Sequence, residues 1–314
     1  MILSKELKVA VHNGVFHADD VLCVVLIKKF LNPLYLEVVR TRDVNVMKTC
    51  DFILDVGRQD KITLTQVWFD HHQGKDFYDN GVQKAACGKL FEYLWENVNI
   101  DPCYKDLIKE ELLNNVFYPV ESQDNGQNIE TIRANRFNFV NGLAPSFKVQ
   151  DEKLMYSAFM KAVDFAYVIF DNIFKSAVDK VISIEDTLYH TIEENGNNEI
   201  LVIGDFIPWQ DKVISVNENR DYNHKIKLVI FRDRLDDTWK VQCVPTGVIA
   251  FEQLISLPEE WAGLGEYSTG KNPLTFAQVS GFEDAIFCHP AKFIAGFKRF
   301  DSAYKAALEA LENQ

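Results

Sequence analysis

The chain has 314 residues, 47% hydrophobic and 25% charged, with 46 acids against 33 bases and a formal charge of −13. That length exceeds one small core and suits two domains. The acidic balance excludes the broad basic face that long nucleic acid needs, but not a small anionic substrate whose charge bound cations would meet.

Residues 7–11 form a short apolar run of strand length, ended by His12-Asn13-Gly14. From Asp19 the spacing predicts a helix through Leu31 that is apolar on nearly every face, and therefore buried. Residues 36–40 and 52–56 are two further strands, and 67–69 ends another. Residues 85–98 and 106–117 read as helices, the second followed by Pro119, and Asp124-Asn125-Gly126 has turn chemistry. Residues 152–194 hold little Gly or Pro and predict one or two long helices. Strands follow at 200–203, 226–231 and 239–244, then a closing helix near 302–311. Strands alternating with helices predict an α/β fold: a doubly wound, mostly parallel sheet with a second, smaller α/β domain. The polar Glu194-Asn195-Gly196-Asn197-Asn198 places the boundary, giving domains 1–194 and 195–314.

The ends of the early strands share one chemistry. His12 follows the first run, with His17 and Asp19 close behind it. Asp55 closes the run 52–54, and Asp70-His71-His72 follows 67–69. In open α/β sheets ligands bind beyond the carboxyl ends of strands. Imidazoles and carboxylates converging there suit a pair of divalent ions. Each piece alone has a plainer use: Asp19 or Asp20 as a helix cap, Asp55 as a turn residue before Gly57, the histidine pair as a solvated loop. A metal-bound imidazole commonly donates its other N–H to a carboxylate, so Asp70 is an orienting partner rather than a ligand. Two ions roughly 3.5–4 Å apart activate a water and clamp a phosphoryl group. Oxygen and nitrogen ligands without thiolate favour manganese or magnesium, with zinc, iron or cobalt as alternatives.

His190 and His224 are isolated and read as surface or structural residues. His289 ends another apolar run, and Lys292, Lys298 and Arg299 follow it, a set suited either to phosphate or carboxylate or to a solvated basic turn. Six cysteines are scattered without metal-finger spacing, as in a reduced compartment. Residues 1–8 lack a signal or transit pattern, and no stretch approaches the ~20 apolar residues of a membrane span. The expected location is the cytoplasm.

His12-Asn13-Gly14-Val15-Phe16-His17-Ala18-Asp19-Asp20 resembles the opening motif of the MYG1 proteins (UPF0160), members of the DHH phosphoesterase superfamily. Asp55-Val56-Gly57, Phe69-Asp70-His71-His72-Gln73, Asp124-Asn125-Gly126, Ile286-Phe287-Cys288-His289 and Phe293-Ile294-Ala295-Gly296 resemble the motifs that follow, in order. The resemblance implies a DHH-type domain joined by a helical linker to a smaller domain that closes over the cleft. It implies one ion on His12, His17 and Asp55, and another on Asp19, Asp55, His71 and Asp124, with Asp55 bridging. His72 would face the substrate's phosphate and Asp70 would support the histidines, the two counted as catalytic. His72, His289, Lys298 and Arg299 would bind substrate. The chain departs from the pattern at Arg58, where a second glycine is common, and at Pro290-Ala291-Lys292 and Ala295 near the C-terminus.

The expected activity is metal-dependent phosphodiester hydrolysis with two divalent ions, manganese first, including 3′–5′ exonuclease action on short RNA. A pyrophosphatase or nucleotide phosphatase, and a non-catalytic metal-binding regulator, are the alternatives. Expected partners are a small phosphate ester or short oligonucleotide, with no long-duplex footprint and no membrane; a homo-oligomer is compatible.

Overall fold

The computed structural model describes residues 6–146, 148, 151–195, 198–219, 225–247, 252–265 and 275–313. His224, Gly196, Asn197 and residues 1–5 lie outside them. Two compact units divide the chain, Met1–Asp179 and Lys180–Gln314. The polar segment at 194–198 lies within the second.

In the first unit the elements run β1 (Glu6–Val11), α1 (Ala18–Leu26), β2 (Tyr35–Arg40), α2 (Val44–Met47), β3 (Phe52–Leu54), β4 (Lys61–Ile62), β5 (Val67–Phe69), α3 (Ala86–Trp95), α4 (Pro102–Leu112), α5 (Tyr118–Asp124) and α6 (Glu152–Ser183), the last of which crosses the boundary. The sheet order is β2-β1-β3-β5-β4. β1 pairs in parallel with β2 and β3, and β3 with β5, while the two-residue β4 is antiparallel on the edge. β3 and β5 are buried along their whole length, the mark of strands covered on both faces. Strand order reverses at β1, so the carboxyl ends of β1 and β3 flank a crevice of the kind where α/β sheets bind ligands.

Every residue of α1 is buried, which explains its lack of a polar face. It packs on α3 and α5. Phe91 stacks on Phe117 with centroids 4.1 Å apart; Phe170 meets Phe117 edge-on, and Phe30 makes edge contacts with Trp95, Phe170 and Phe174. Gly88 is needed in α3, because a Cβ there would stand 1.9 Å from Glu121 Oε1. Pro119 does not stop the helix before it. The chain passes through one π-helical turn, Leu113–Phe117, and Pro119 falls in the first turn of α5, where its missing N–H costs least.

The second unit contains α7 (Tyr189–Asn195), β6 (Ile200–Asp205), α8 (Gln210–Glu218), β7 (Leu228–Asp233), β8 (Thr238–Cys243), α9 (Phe276–Ser280), β9 (Ala285–Cys288), β10 (Ile294–Phe297) and α10 (Phe300–Glu312). Its sheet order is β6-β7-β8-β10-β9. Among the described residues only β6 and β7 pair in parallel there; the other pairings are antiparallel. The architecture is thus α/β with two mixed sheets. Among the described residues no helix is long and apolar enough to cross a membrane.

Candidate metal centre

Three neighbouring parallel strands, β1, β3 and β5, end at His12, Asp55 and Asp70-His71. Asp55 is the meeting point. Its Oδ2 lies 3.3 Å from His12 Nε2 and its Oδ1 lies 3.3 Å from His71 Nε2. His71 Nε2 is also 3.2 Å from Asp124 Oδ2, at the end of α5.

Both imidazoles are aimed by their other nitrogen. His12 Nδ1–H donates to the Asn13 carbonyl at 3.1 Å, and His71 Nδ1–H to Asn125 Oδ1 at 2.9 Å. When the rings are neutral in those tautomers, each Nε2 presents a lone pair toward the carboxylates, as metal-binding histidines require. Asn125 is itself fixed, its Nδ2 donating to the carbonyls of Gln83 and Glu121.

Asp19 enters from the first turn of α1 and is completely buried. The N–H groups of Cys87 (2.6 Å) and Ala86 (3.1 Å), at the positive end of α3, donate to its two oxygens. Asp19, His71 and Asp124 bring ligand atoms within 4.8 Å of one another, and so do Asp55, His71 and His72. His17 precedes α1; its ring lies 5.7 Å from that of His12. With His12, Asp55, His71 and Asp124 it lines a cavity of about 400 Å³, without joining either tight group.

Asp70 stays out of the ligand groups. Its Oδ1 accepts from His72 Nδ1 at 2.6 Å and from the His72 N–H, and its Oδ2 from the Arg58 N–H at 2.6 Å. Burial would raise its pKa, but these donors hold it below the ordinary carboxylate value. His72 is half exposed above it.

Sequence reasoning treated Asp20 only as a cap. Its Oδ1 does accept the His17 N–H at 2.8 Å, but its Oδ2 reaches back to within 3.3 Å of His12 Nε2. The signal lay in the Asp19-Asp20 doublet, since adjacent acids at a helix start point in different directions.

Electrostatics test whether cations fit. Burial and mutual repulsion push Asp20 and Asp124 up to about 7 and move Asp19 upward too. Burial would lower His12 and His71, yet Asp55 and its neighbours carry them up to about 9 and about 10. Asp55 is held low by those two imidazoles against its own burial. Asp20 Oδ2 and Asp55 Oδ1 are buried without a hydrogen bond, although each sits 3.3 Å from a histidine. Buried oxygens without donors beside crowded carboxylates suit divalent cations, which would displace the protons. The backbone turns left-handed at the same point, with φ +53° at Asp55, +99° at Gly57 and +52° at Arg58, and the two non-glycine residues are strained there. Non-glycine residues hold that conformation only where the surroundings impose it.

The residues expected to bind substrate from the C-terminal part lie in the second unit. His289 follows β9, its Nδ1 accepting from the Ala291 N–H. Arg299 precedes α10 and pairs with Asp284 at 3.4 Å. The Lys298 N–H donates to the Asp284 carbonyl, and Lys292 pairs with Glu259. His190 lies in α7.

The model of a family described as "Uncharacterised protein family (UPF0160)" matches residues 8–311. The MYG1 protein of Dictyostelium discoideum is 26% identical over 332 residues, covering 98% of this chain and 97% of its own. The MYG1 protein of Schizosaccharomyces pombe is 24% identical over 343 residues, with 99% of each covered. A human protein named MYG1 exonuclease is 22% identical over 334 residues, covering 97% of this chain and 85% of its own.

Proposed function

The chain belongs to the MYG1 (UPF0160) family, and from that footing we propose that it is a metal-dependent phosphodiesterase that releases nucleotides from the 3′ end of short RNA. The observation that carries the reading is Asp55, set between His12 and His71 with a buried oxygen that accepts no hydrogen bond. The relatives named exonuclease support a nucleic-acid substrate. The charge of −13 favours a short one, because a long duplex is held by many phosphate contacts.

His12, His17 and Asp55 would hold one ion, and Asp19, Asp55, His71 and Asp124 the other, manganese being the first choice. When bound, such ions lower the pKa of water and offset charge on phosphoryl oxygens. The rest falls to the chain itself. Asp70 holds His72 Nδ1–H at 2.6 Å, which fixes the ring and leaves Nε2 to the cleft. Through that nitrogen His72 orients the scissile phosphate and hands a proton to the departing oxygen. Asn13 and Asn125 keep His12 and His71 in their ligating tautomers. The second unit, with His289, Lys298 and Arg299, is assigned to substrate binding, a role that resemblance alone supports.

A substrate panel tests the reading. Metal-stripped protein resupplied with manganese is offered a 5′-labelled short RNA, bis(p-nitrophenyl) phosphate, pyrophosphate and a mononucleotide. Mononucleotide release from the RNA, absent with chelator, supports it. Turnover confined to pyrophosphate or the mononucleotide contradicts the substrate, and no turnover with stoichiometric metal bound contradicts catalysis.

A further inference from the structure

We infer that Arg42 and Arg58 form a two-guanidinium subsite beside the cluster that binds a second, non-scissile phosphate of an oligonucleotide. The inference rests on the phosphodiesterase reading and names what that site selects. A cleft of about 350 Å³ is lined by Arg42, Asp55, Arg58, Asp70 and His72. Arg42, Asp55 and His72 also line the cavity at the histidine–carboxylate cluster, so the two spaces adjoin.

Neither guanidinium meets a carboxylate among the described residues, in a chain with 13 excess negative charges. Arg232, Arg234 and Arg299 each do, with Asp237, Asp205 and Asp284. Arg42 is steadied by one nitrogen, Nη1, which donates to the carbonyl of Asn13 and to its Oδ1 (2.7 Å). The rest of its donor fork remains for a ligand, and that fork matches phosphate geometry.

Arg58 makes the stronger case. It occupies a backbone of φ +52°, which glycine would adopt freely and arginine adopts under strain. The buried Asp70 carboxylate pins its N–H at 2.6 Å. The same carboxylate holds His72, so the cleft arginine and the proposed proton donor share one anchor. A long cationic side chain kept at a strained position beside a phosphate-cleaving site indicates use rather than packing. A diester with a single phosphate would leave both arginines idle, whereas an oligonucleotide places its next phosphate one nucleoside away.

The experiment compares wild type with R58G, whose glycine suits the backbone, and with R58Q, which keeps a polar side chain. Fluorescence anisotropy measures binding of a 5′-labelled triribonucleotide in calcium, and steady-state kinetics in manganese give KM for that substrate and for bis(p-nitrophenyl) phosphate. Both variants are expected to weaken triribonucleotide binding and raise its KM by five- to twentyfold, with less than a twofold change for bis(p-nitrophenyl) phosphate. Equal shifts for both substrates, or an unaltered triribonucleotide affinity, would overturn the subsite. Hydrolysis of neither substrate by wild type would refute the phosphodiesterase reading, while the binding arm, run also on R42Q with the same expected loss, still decides the arginine pair.

Discussion

Asp55 Oδ1 lies 3.3 Å from His71 Nε2, and the two residues stand at the ends of adjacent parallel strands. Nothing in sequence distance would join them; the sheet does. Because Asp55 faces His12 as well, its carboxylate is the piece both halves of the cluster share. Asp55→Asn keeps the shape and removes the charge. Wild type should gain thermal stability with manganese, about 2.7 kcal/mol at a hundredfold excess over Kd, and D55N should gain little. Differential scanning calorimetry with and without manganese checks this; an equal gain in both would remove Asp55 from the ligand set.

Asn125 aims His71 without standing in either ligand group. Partners of this kind are worth about 10–100-fold in metal affinity. N125A is expected to lose that much by isothermal titration with manganese, and activity should return at higher metal. Unchanged affinity would leave Asn125 a purely structural residue.

His72 is assigned to substrate, not metal. H72Q should lower kcat by about 10²–10⁴, the usual size of a proton-transfer contribution, with manganese affinity within about twofold of wild type. A collapse of metal affinity together with kcat would move His72 into the ligand set, as its place beside Asp55 and His71 allows.

Much of this centre could be read from the chain, because apolar runs ending in His or Asp mark strand tips whatever the tertiary contacts. What escaped needed three dimensions. Asp20 turns its second oxygen to His12 only through the geometry of α1. Glu121 sits between Pro119 and the Asp124 turn, a stretch to which the sequence assigned no element, yet it is completely buried in α5, its Oε1 taking the Ala85 N–H at 2.7 Å. Arg58 stands out in the sequence only as a departure from a common glycine; its strained backbone and its place in the cleft come from the structure. In the second unit the strands at 226–231 and 239–244 were legible, but pattern alone did not give their direction. The tight connection from Asp233 to Thr238 admits only an antiparallel pair, since a parallel return needs a crossover of a dozen or more residues.

Glu121 gives a pH prediction. Burial, with Asp19 nearby, raises its pKa well above the usual carboxylate value against the Ala85 N–H. The folded state therefore holds a proton that the unfolded state releases, and this contribution to stability is full at acid pH and shrinks as pH rises above the unfolded carboxylate range. The limiting slope is about 1.4 kcal/mol per pH unit. Glu121→Gln cannot titrate, so in chelator the gap between E121Q and wild type should widen in favour of the variant from pH 5 to pH 8. Urea denaturation across that range measures it, and a constant gap would mean that Glu121 is charged in the fold.

The central claim is that the His12–Asp55–His71 cluster is a metal-dependent phosphodiester-cleaving site. Its most direct test is the initial rate at which a short 5′-labelled RNA is shortened from its 3′ end with release of mononucleotides, measured on metal-stripped protein as manganese is added, for wild type and D55N side by side. The expected result is no release without metal, a saturable rise in wild type and none in D55N. Release that persists in chelator, or that D55N matches, would contradict the account.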